Sequence, residues 1–111
     1  MRAVSVLVLS LLVLGCTQSP QTKQANQIRG EASKQASAIK ERAEAQAAPL
    51  DHQADALRSQ AKQAGGYEGK RLDVQADSLK KQANLLRQQA DEQAGAVREA
   101  ADARVKALES R

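Results

Sequence analysis

The sequence predicts an all-α protein, and three observations carry that prediction. Tyr67 is the only aromatic residue, and alanine buries little area, so the chain cannot build a large apolar core. Its abundant residues, Ala, Gln, Lys, Arg, Glu and Leu, are strong helix formers. From about Gln21 onward, apolar or small residues recur at steps of three and four, which is the helical period. Long amphipathic helices are therefore expected rather than a conventional globular core.

The larger apolar residues repeat every eleven positions. Ile28, Ile39 and Leu50 are eleven apart. Eleven residues in three turns give 3.67 residues per turn, so such a stripe runs almost straight along a helix. Residues 50–57 also recur, with substitutions, at 72–79, an offset of twice eleven. This self-similarity indicates duplication of an 11-residue unit.

Glycine and proline divide this helical pattern. Gly65, Gly66 and Gly69 form the strongest breaker after the N-terminal region, and they predict a turn at 65–70 between a helix at 22–64 and a helix at 71–110. Pro49 removes a backbone donor inside the first helix and predicts a kink near that residue.

Folding the chain at Glu68 brings the large apolar residues of the two helices opposite one another, with alanines between them. We therefore predict a coiled-coil-like antiparallel helical hairpin. The rival is one continuous rod, because the repeat keeps its phase across the glycines, and self-association would bury the stripe better in either case. The predicted helix–helix stripe is Ile28, Ile39, Leu50, Leu57, Leu72, Leu79, Leu86, Val97 and Leu108.

The polar residues predict no catalytic or metal site, so we do not expect an enzyme or a cofactor. His52 is the only histidine and is expected to face solvent. The acid pairs Asp51/Asp55 and Asp73/Asp77 could hold a cation weakly, but such pairs are more often solvated. Tyr67 at the turn could contact a partner or cover the end of the hairpin, and the second is expected. Pairs of an acid four residues before a base should support the second helix: Asp77 with Lys81, and Asp102 with Lys106.

The charge pattern argues against nucleic-acid binding. The formal net charge is +4, but acids and bases alternate along the chain, which is typical of a solvated helix face. There is no basic block and no interleaving of aromatic residues, both of which nucleic-acid surfaces tend to have.

The N-terminal region has the pattern of a targeting signal. After Met1-Arg2, residues 3–14 are apolar except for two serines; this run is shorter than the ~20 residues of a membrane span and fits a secretory signal. Residues 13–16, Val-Leu-Gly-Cys, resemble the lipobox of bacterial prolipoproteins. The resemblance implies a signal peptide at 1–15, cleavage between Gly15 and Cys16, a covalent lipid with palmitate-type acyl chains on Cys16, and a tether at 16–21. Thr17, where an Asp would retain such proteins in the inner membrane, implies a periplasm-facing anchor in the outer membrane.

These expectations combine into a lipid-anchored, non-enzymatic envelope lipoprotein that acts as a spacer, a scaffold or an accessory subunit of an unidentified envelope protein. The Ala-rich repeat after the cysteine loosely resembles the murein lipoprotein family. That family ends in a lysine joined to peptidoglycan, whereas Arg111 stands here, so no covalent peptidoglycan link is expected. The alternative rests on a resemblance of the 11-residue repeats to late-embryogenesis-abundant (LEA) proteins and exchangeable apolipoproteins. It implies a stress protein whose helices form on membranes or on drying.

Overall fold

Two long helices form an antiparallel hairpin in the computed structural model, which describes residues 20–110. Helix α1 spans Pro20–Ala64 and helix α2 spans Gly66–Glu109, with Gly65 between them. Each helix is about 66 Å long at 1.5 Å per residue. The all-α hairpin is confirmed, and no strand occurs among the residues described. Within that part of the chain, neither helix combines the length and the hydropathy needed to cross a membrane.

Small residues form the contact between the two helices. Seven positions on each helix are buried, spaced by seven or four residues, so that seven and four together make the 11-residue repeat. Because alanine extends one carbon from the backbone, the helices can approach at the short end of the usual 8–10 Å range. We call these positions the alanine ladder: Ala25, Ala32, Ala36, Ala43, Ala47, Ala54 and Ala61 on α1, with Gly69, Ala76, Ala83, Ala90, Ala94, Ala101 and Val105 on α2.

The large aliphatic residues of the predicted stripe flank this ladder instead of forming it. All nine, from Ile28 to Leu108, are half-buried rather than buried. The reason is steric: once the alanines bring the backbones together, a leucine no longer fits between the helices and lies at the edge of the contact. Leu50 and Leu86, which were expected to face each other, line one groove, but Leu86 also lines a groove with Ile39. The predicted pairing is shifted because the chain folds at Gly65 and not at Glu68.

The turn is narrower than the predicted 65–70. Only Gly65 interrupts the helices, with φ 63° and ψ 177°, and Gly66 also has a positive φ of 58°. Gly69 lies inside α2 and is buried. A Cβ at Gly69 would lie 2.7 Å from the carbonyl oxygen of Ala61. Gly69 therefore allows the two backbones to meet beside the turn and does not break the helix, which is why α2 begins at Gly66 and not at residue 71.

Both prolines are accommodated in α1. Pro20 is the first residue of the helix, where its missing N–H is not needed, so α1 begins two residues earlier than the predicted residue 22. Helix α1 continues without a break across Pro49, which is exposed on the outer side. Pro49 therefore does not end the helix, and the kink expected near it stays a prediction. The predicted signal and lipid site, Gly15 and Cys16, lie outside the described residues.

Candidate interaction surfaces of the hairpin

A charged cluster centred on Arg87 joins the helices along one flank of the alanine ladder. The Arg87 Nε donates to one carboxylate oxygen of Glu44 at 2.8 Å, and Nη2 donates to the other at 2.9 Å. The same Nη2 donates to Asp51 Oδ2 at 2.7 Å. One guanidinium on α2 thus holds two carboxylates that are seven residues apart on α1. This fork geometry, which a lysine could not reproduce, connects one position of α2 to two positions of α1.

The cluster perturbs its own ionisation equilibria. The hydrogen bond from Arg87 lowers the pKa of Glu44 and that of Asp51 below their ordinary values, and partial desolvation opposes this in both. The two carboxylates in turn raise the pKa of Arg87. All three groups therefore keep their charges more firmly when the hairpin is closed: the two carboxylates bind protons less readily than in separated helices, and Arg87 holds its proton more tightly.

Lys80 completes the cluster on the side nearer the turn. Its Nζ lies 3.5 Å from Asp51 Oδ1 and 3.5 Å from Asp55 Oδ1. This Asp51 oxygen is itself buried and accepts no hydrogen bond, and the Lys80 ammonium compensates its charge at 3.5 Å. The acid pair Asp51/Asp55 thus holds a lysine where the sequence allowed a weakly bound cation. Among residues 20–110, no group of three or more His, Cys, Asp or Glu side chains is arranged to bind a metal.

Three inter-helix ion pairs repeat at 11-residue steps along both helices. In the third of them, the acid and the base exchange helices. The pairs are Arg29 with Asp102 and Lys40 with Asp91, each at 3.8 Å, and then Asp51 with Lys80 at 3.5 Å. A shift of α2 by eleven residues would still superpose several alanine layers. It would also place Asp51 opposite Asp91 in one direction, or Lys40 opposite Lys80 in the other. The charge reversal therefore distinguishes one register from its neighbours.

Several acids bind across the hairpin rather than along their own helix. Asp77 pairs with Arg58 of α1 at 2.9 Å and not with Lys81 of its own helix, as was expected. Asp102 likewise pairs with Arg29 of α1 and not with Lys106. Arg71 pairs with Glu68 at 2.7 Å within α2. His52 and Asp73 are exposed. Tyr67 is 83% exposed, so the ring projects from the tip and does not cover it.

The other flank of the ladder carries the large aliphatic side chains. Leu50 directly precedes Asp51, and neighbouring residues of a helix point about 100° apart. The ladder lies between these two directions, so the leucine and the aspartate are on opposite flanks of it. The same holds for Leu86 and Arg87 on α2. We call the nine predicted stripe residues the apolar face, and the flank of inter-helix ion pairs the ion-pair face. A groove of about 270 Å³ on the apolar face is lined by Leu50, Gln82, Leu85, Leu86 and Gln89.

Sequence reasoning grouped the nine residues of the apolar face but wrongly assigned them to the contact between the helices. It missed the ion-pair face, although a signal was present. Each of the nine residues of the apolar face is followed directly by a charged residue. Examples are the dipeptides Leu50-Asp51, Leu57-Arg58, Leu79-Lys80 and Leu86-Arg87. In a helix whose buried stripe is alanine, such a dipeptide places the apolar and the charged side chain on either side of that stripe. The two-faced hairpin could have been predicted from this pattern.

Comparisons with protein-family models, curated protein sequences and solved structures find no significant match to this chain.

Proposed function

We propose that the protein is a lipid-anchored, non-enzymatic lipoprotein of the bacterial cell envelope, in which the hairpin acts as a spacer or scaffold. The anchor half of the proposal rests on the lipobox resemblance at residues 13–16. One acyl chain gives only marginal membrane binding, whereas two or three give durable attachment. Acylated Cys16 would therefore hold the protein on a membrane, and Thr17 in place of an Asp favours the periplasmic side of the outer membrane.

The observation that carries the scaffold half is the polarity of the hairpin. Pro20 and Glu109 lie at the open end, and Gly65 lies at the opposite end. Cys16 precedes the first helical residue by only four positions. A lipid on Cys16 would thus attach the hairpin at its open end, and the tip would extend up to about 66 Å away. Tyr67, exposed at that tip, would be available to a partner far from the membrane.

Metabolic labelling with a fatty acid tests the anchor. The full-length protein should incorporate label and sediment with outer membranes, while Cys16→Ala should do neither. Thr17→Ala is the matched control, since it changes the neighbouring residue without removing the thiol. In a Gram-negative host, Thr17→Asp should stay labelled but move to the inner membrane. Equal, background labelling of the full-length protein and Cys16→Ala would refute the anchor.

Circular dichroism tests the scaffold against the LEA-like or apolipoprotein-like alternative. Each helix packs against the other helix of the same chain through the alanine ladder and the ion-pair face. We therefore expect strong helicity in dilute buffer for the chain from Thr17 to Arg111. A chain that is disordered in buffer and turns helical only on anionic vesicles or on drying would replace the scaffold proposal with the stress-protein reading.

A further inference from the structure

The apolar face presents a long row of aliphatic side chains that the hairpin itself buries only in part. Its residues run from Ile28 to Leu57 on α1 and from Leu72 to Leu108 on α2, all half-buried. Over 30 residues of α1 this face is about 44 Å long, and two adjacent helices make it about 18 Å wide. The footprint of this side of the hairpin, with its polar border, is therefore about 800 Å². A standard stable interface buries about 800 Å² on each partner, so the footprint has the size that a stable dimer needs.

We infer that the apolar face binds the apolar face of a second copy, which forms a four-helix bundle. The residues at the border of the apolar face indicate that its partner is a second copy and not a lipid surface. Its grooves are edged by Gln46, Gln82, Gln89 and Gln93, with Arg42 as the charged member. A helix that lies on a lipid surface normally has lysines and arginines beside its apolar face. A glutamine border instead lets two identical faces meet with little like-charge repulsion and offers hydrogen bonds around the rim.

The internal symmetry of the hairpin fits this partner. Leu86 of α2 lines one groove with Leu50 and another with Ile39 of α1, so aliphatic side chains from the two helices alternate along the face. A two-fold axis along the hairpin places α1 of one copy beside α2 of the other, with every neighbouring helix antiparallel, as in many four-helix bundles. The interface is isologous and closes at two copies. The ion-pair faces remain on the outside, in water.

The relative direction of the two copies is a separate point, and it rests on the proposed function. If both copies are anchored through Cys16 in one membrane, their open ends lie together and so do their tips. Dimer formation itself does not depend on the anchor. Every contact described above lies within residues 20–110, so a soluble chain from Thr17 to Arg111 retains the hairpin and contains no cysteine.

Sedimentation equilibrium of this soluble chain tests the dimer. We expect a reversible dimer, and Leu50→Gln with Leu86→Gln should raise its Kd at least about 100-fold, since each dimer loses four interface leucines. Val74→Gln is the matched control: Val74 is 68% exposed and is two residues from buried Ala76, on the far side of α2. A monomer at all concentrations, or a dimer unaffected by the two leucine changes, would overturn the inference.

A second variant tests the interface without the risk that the leucine substitutions unfold the hairpin. Gln46→Lys with Gln89→Lys adds charge to the exposed border and removes no apolar contact. We expect unchanged helicity in circular dichroism and a Kd raised about tenfold or more by like-charge repulsion. Gln63→Lys, two residues from buried Ala61 on the outer side of α1, should leave the Kd unchanged. Equal Kd values for the border and the control variants would count against the apolar face as the interface.

A spin label at Tyr67→Cys separates the two parts of the inference. Tips that lie together place the two labels within about 25 Å of each other, whereas copies that point in opposite directions place them about 65 Å apart. The short distance supports the same-ended dimer. The long distance keeps the dimer but removes the arrangement in which both copies share one membrane. A labelled chain that gives no inter-chain distance would contradict the dimer altogether.

Discussion

Replacing Gly65 and Gly66 with alanine should open the hairpin into a straight rod that pairs with a second chain. Gly65 has φ 63° and ψ 177°, a region that only glycine occupies without strain, and Gly66 has φ 58°. Alanine would cost about 1–3 kcal/mol at the first position and about 1–2 kcal/mol at the second. A continuous helix would instead gain about 1 kcal/mol from each replacement.

The balance between hairpin and rod therefore shifts by about 4–7 kcal/mol, which is about three to five factors of ten in the equilibrium constant. The rod has a partner of the right shape. The alanine ladder repeats across the turn, since Ala61 and Ala83 are 22 residues apart, twice the 11-residue period. Two antiparallel rods could form every inter-helix ion pair of the hairpin between chains, which is domain swapping at a short hinge.

Engineered disulfides distinguish the two states. Ala36 and Ala94 are both buried in the ladder and lie at one level of it. With Ala36→Cys and Ala94→Cys in the soluble chain, the hairpin forms an intrachain disulfide and migrates as a monomer without reductant. The Gly65→Ala and Gly66→Ala rod should form an interchain disulfide and migrate as a covalent dimer, whether or not copies also meet through the apolar face.

Two other glycines supply the matched control. Gly30 and Gly95 lie inside the helices, and a Cβ at either would meet nothing within 4 Å. Gly30→Ala with Gly95→Ala raises helix propensity by a similar amount but leaves the turn unchanged, so the disulfide should stay intrachain. If the turn variant also stays intrachain, the cost assigned to its positive φ angles is wrong.

Three further predictions concern the ladder and the ion-pair face. Gly69→Ala should lower the free energy of unfolding by about 1–3 kcal/mol, because its Cβ would lie 2.7 Å from the Ala61 carbonyl oxygen, whereas Gly95→Ala should raise it by up to about 1 kcal/mol; urea titration followed by circular dichroism measures both. Ala36→Leu should lower the free energy of unfolding by about 1–3 kcal/mol, because it overpacks the ladder. Ala38→Leu, at an exposed position, should change that free energy little. Equal effects of the two substitutions would mean that the helices do not meet at Ala36. The lowered pKa values of Glu44 and Asp51 mean that their stabilisation is present above the ordinary carboxyl range near 4 and is lost as the pH falls through the lower folded-state values. The thermal midpoint should therefore fall in acid, and Arg87→Gln should flatten that dependence; an unchanged acid slope in Arg87→Gln would contradict the role given to this arginine.

The helices and the hairpin could be predicted from the sequence because they depend on local properties. Steps of three and four define a helix, and paired glycines define a turn, whatever the helices pack against. The contact surface could not be assigned in the same way. Alanine and leucine both lie on the stripe, and Ala54 and Leu57 differ by only about 60° around α1. Which of them is buried depends on how close the second helix comes, and Gly69 beside Ala61 shows that the approach is close.

The 11-residue repeat that makes the helices easy to predict also conceals their register. Each alanine layer resembles the layer eleven residues away, so packing alone favours several registers almost equally. In the closed hairpin, the one-residue turn at Gly65 limits that choice. Between separate chains, only residues that break the repeat can do so. Asp51 and Lys80 are such residues, because they exchange the acid and the base relative to the pairs at Arg29 and Lys40. Between separate chains, the choice of register therefore depends on the few charges that depart from the periodicity of the repeat.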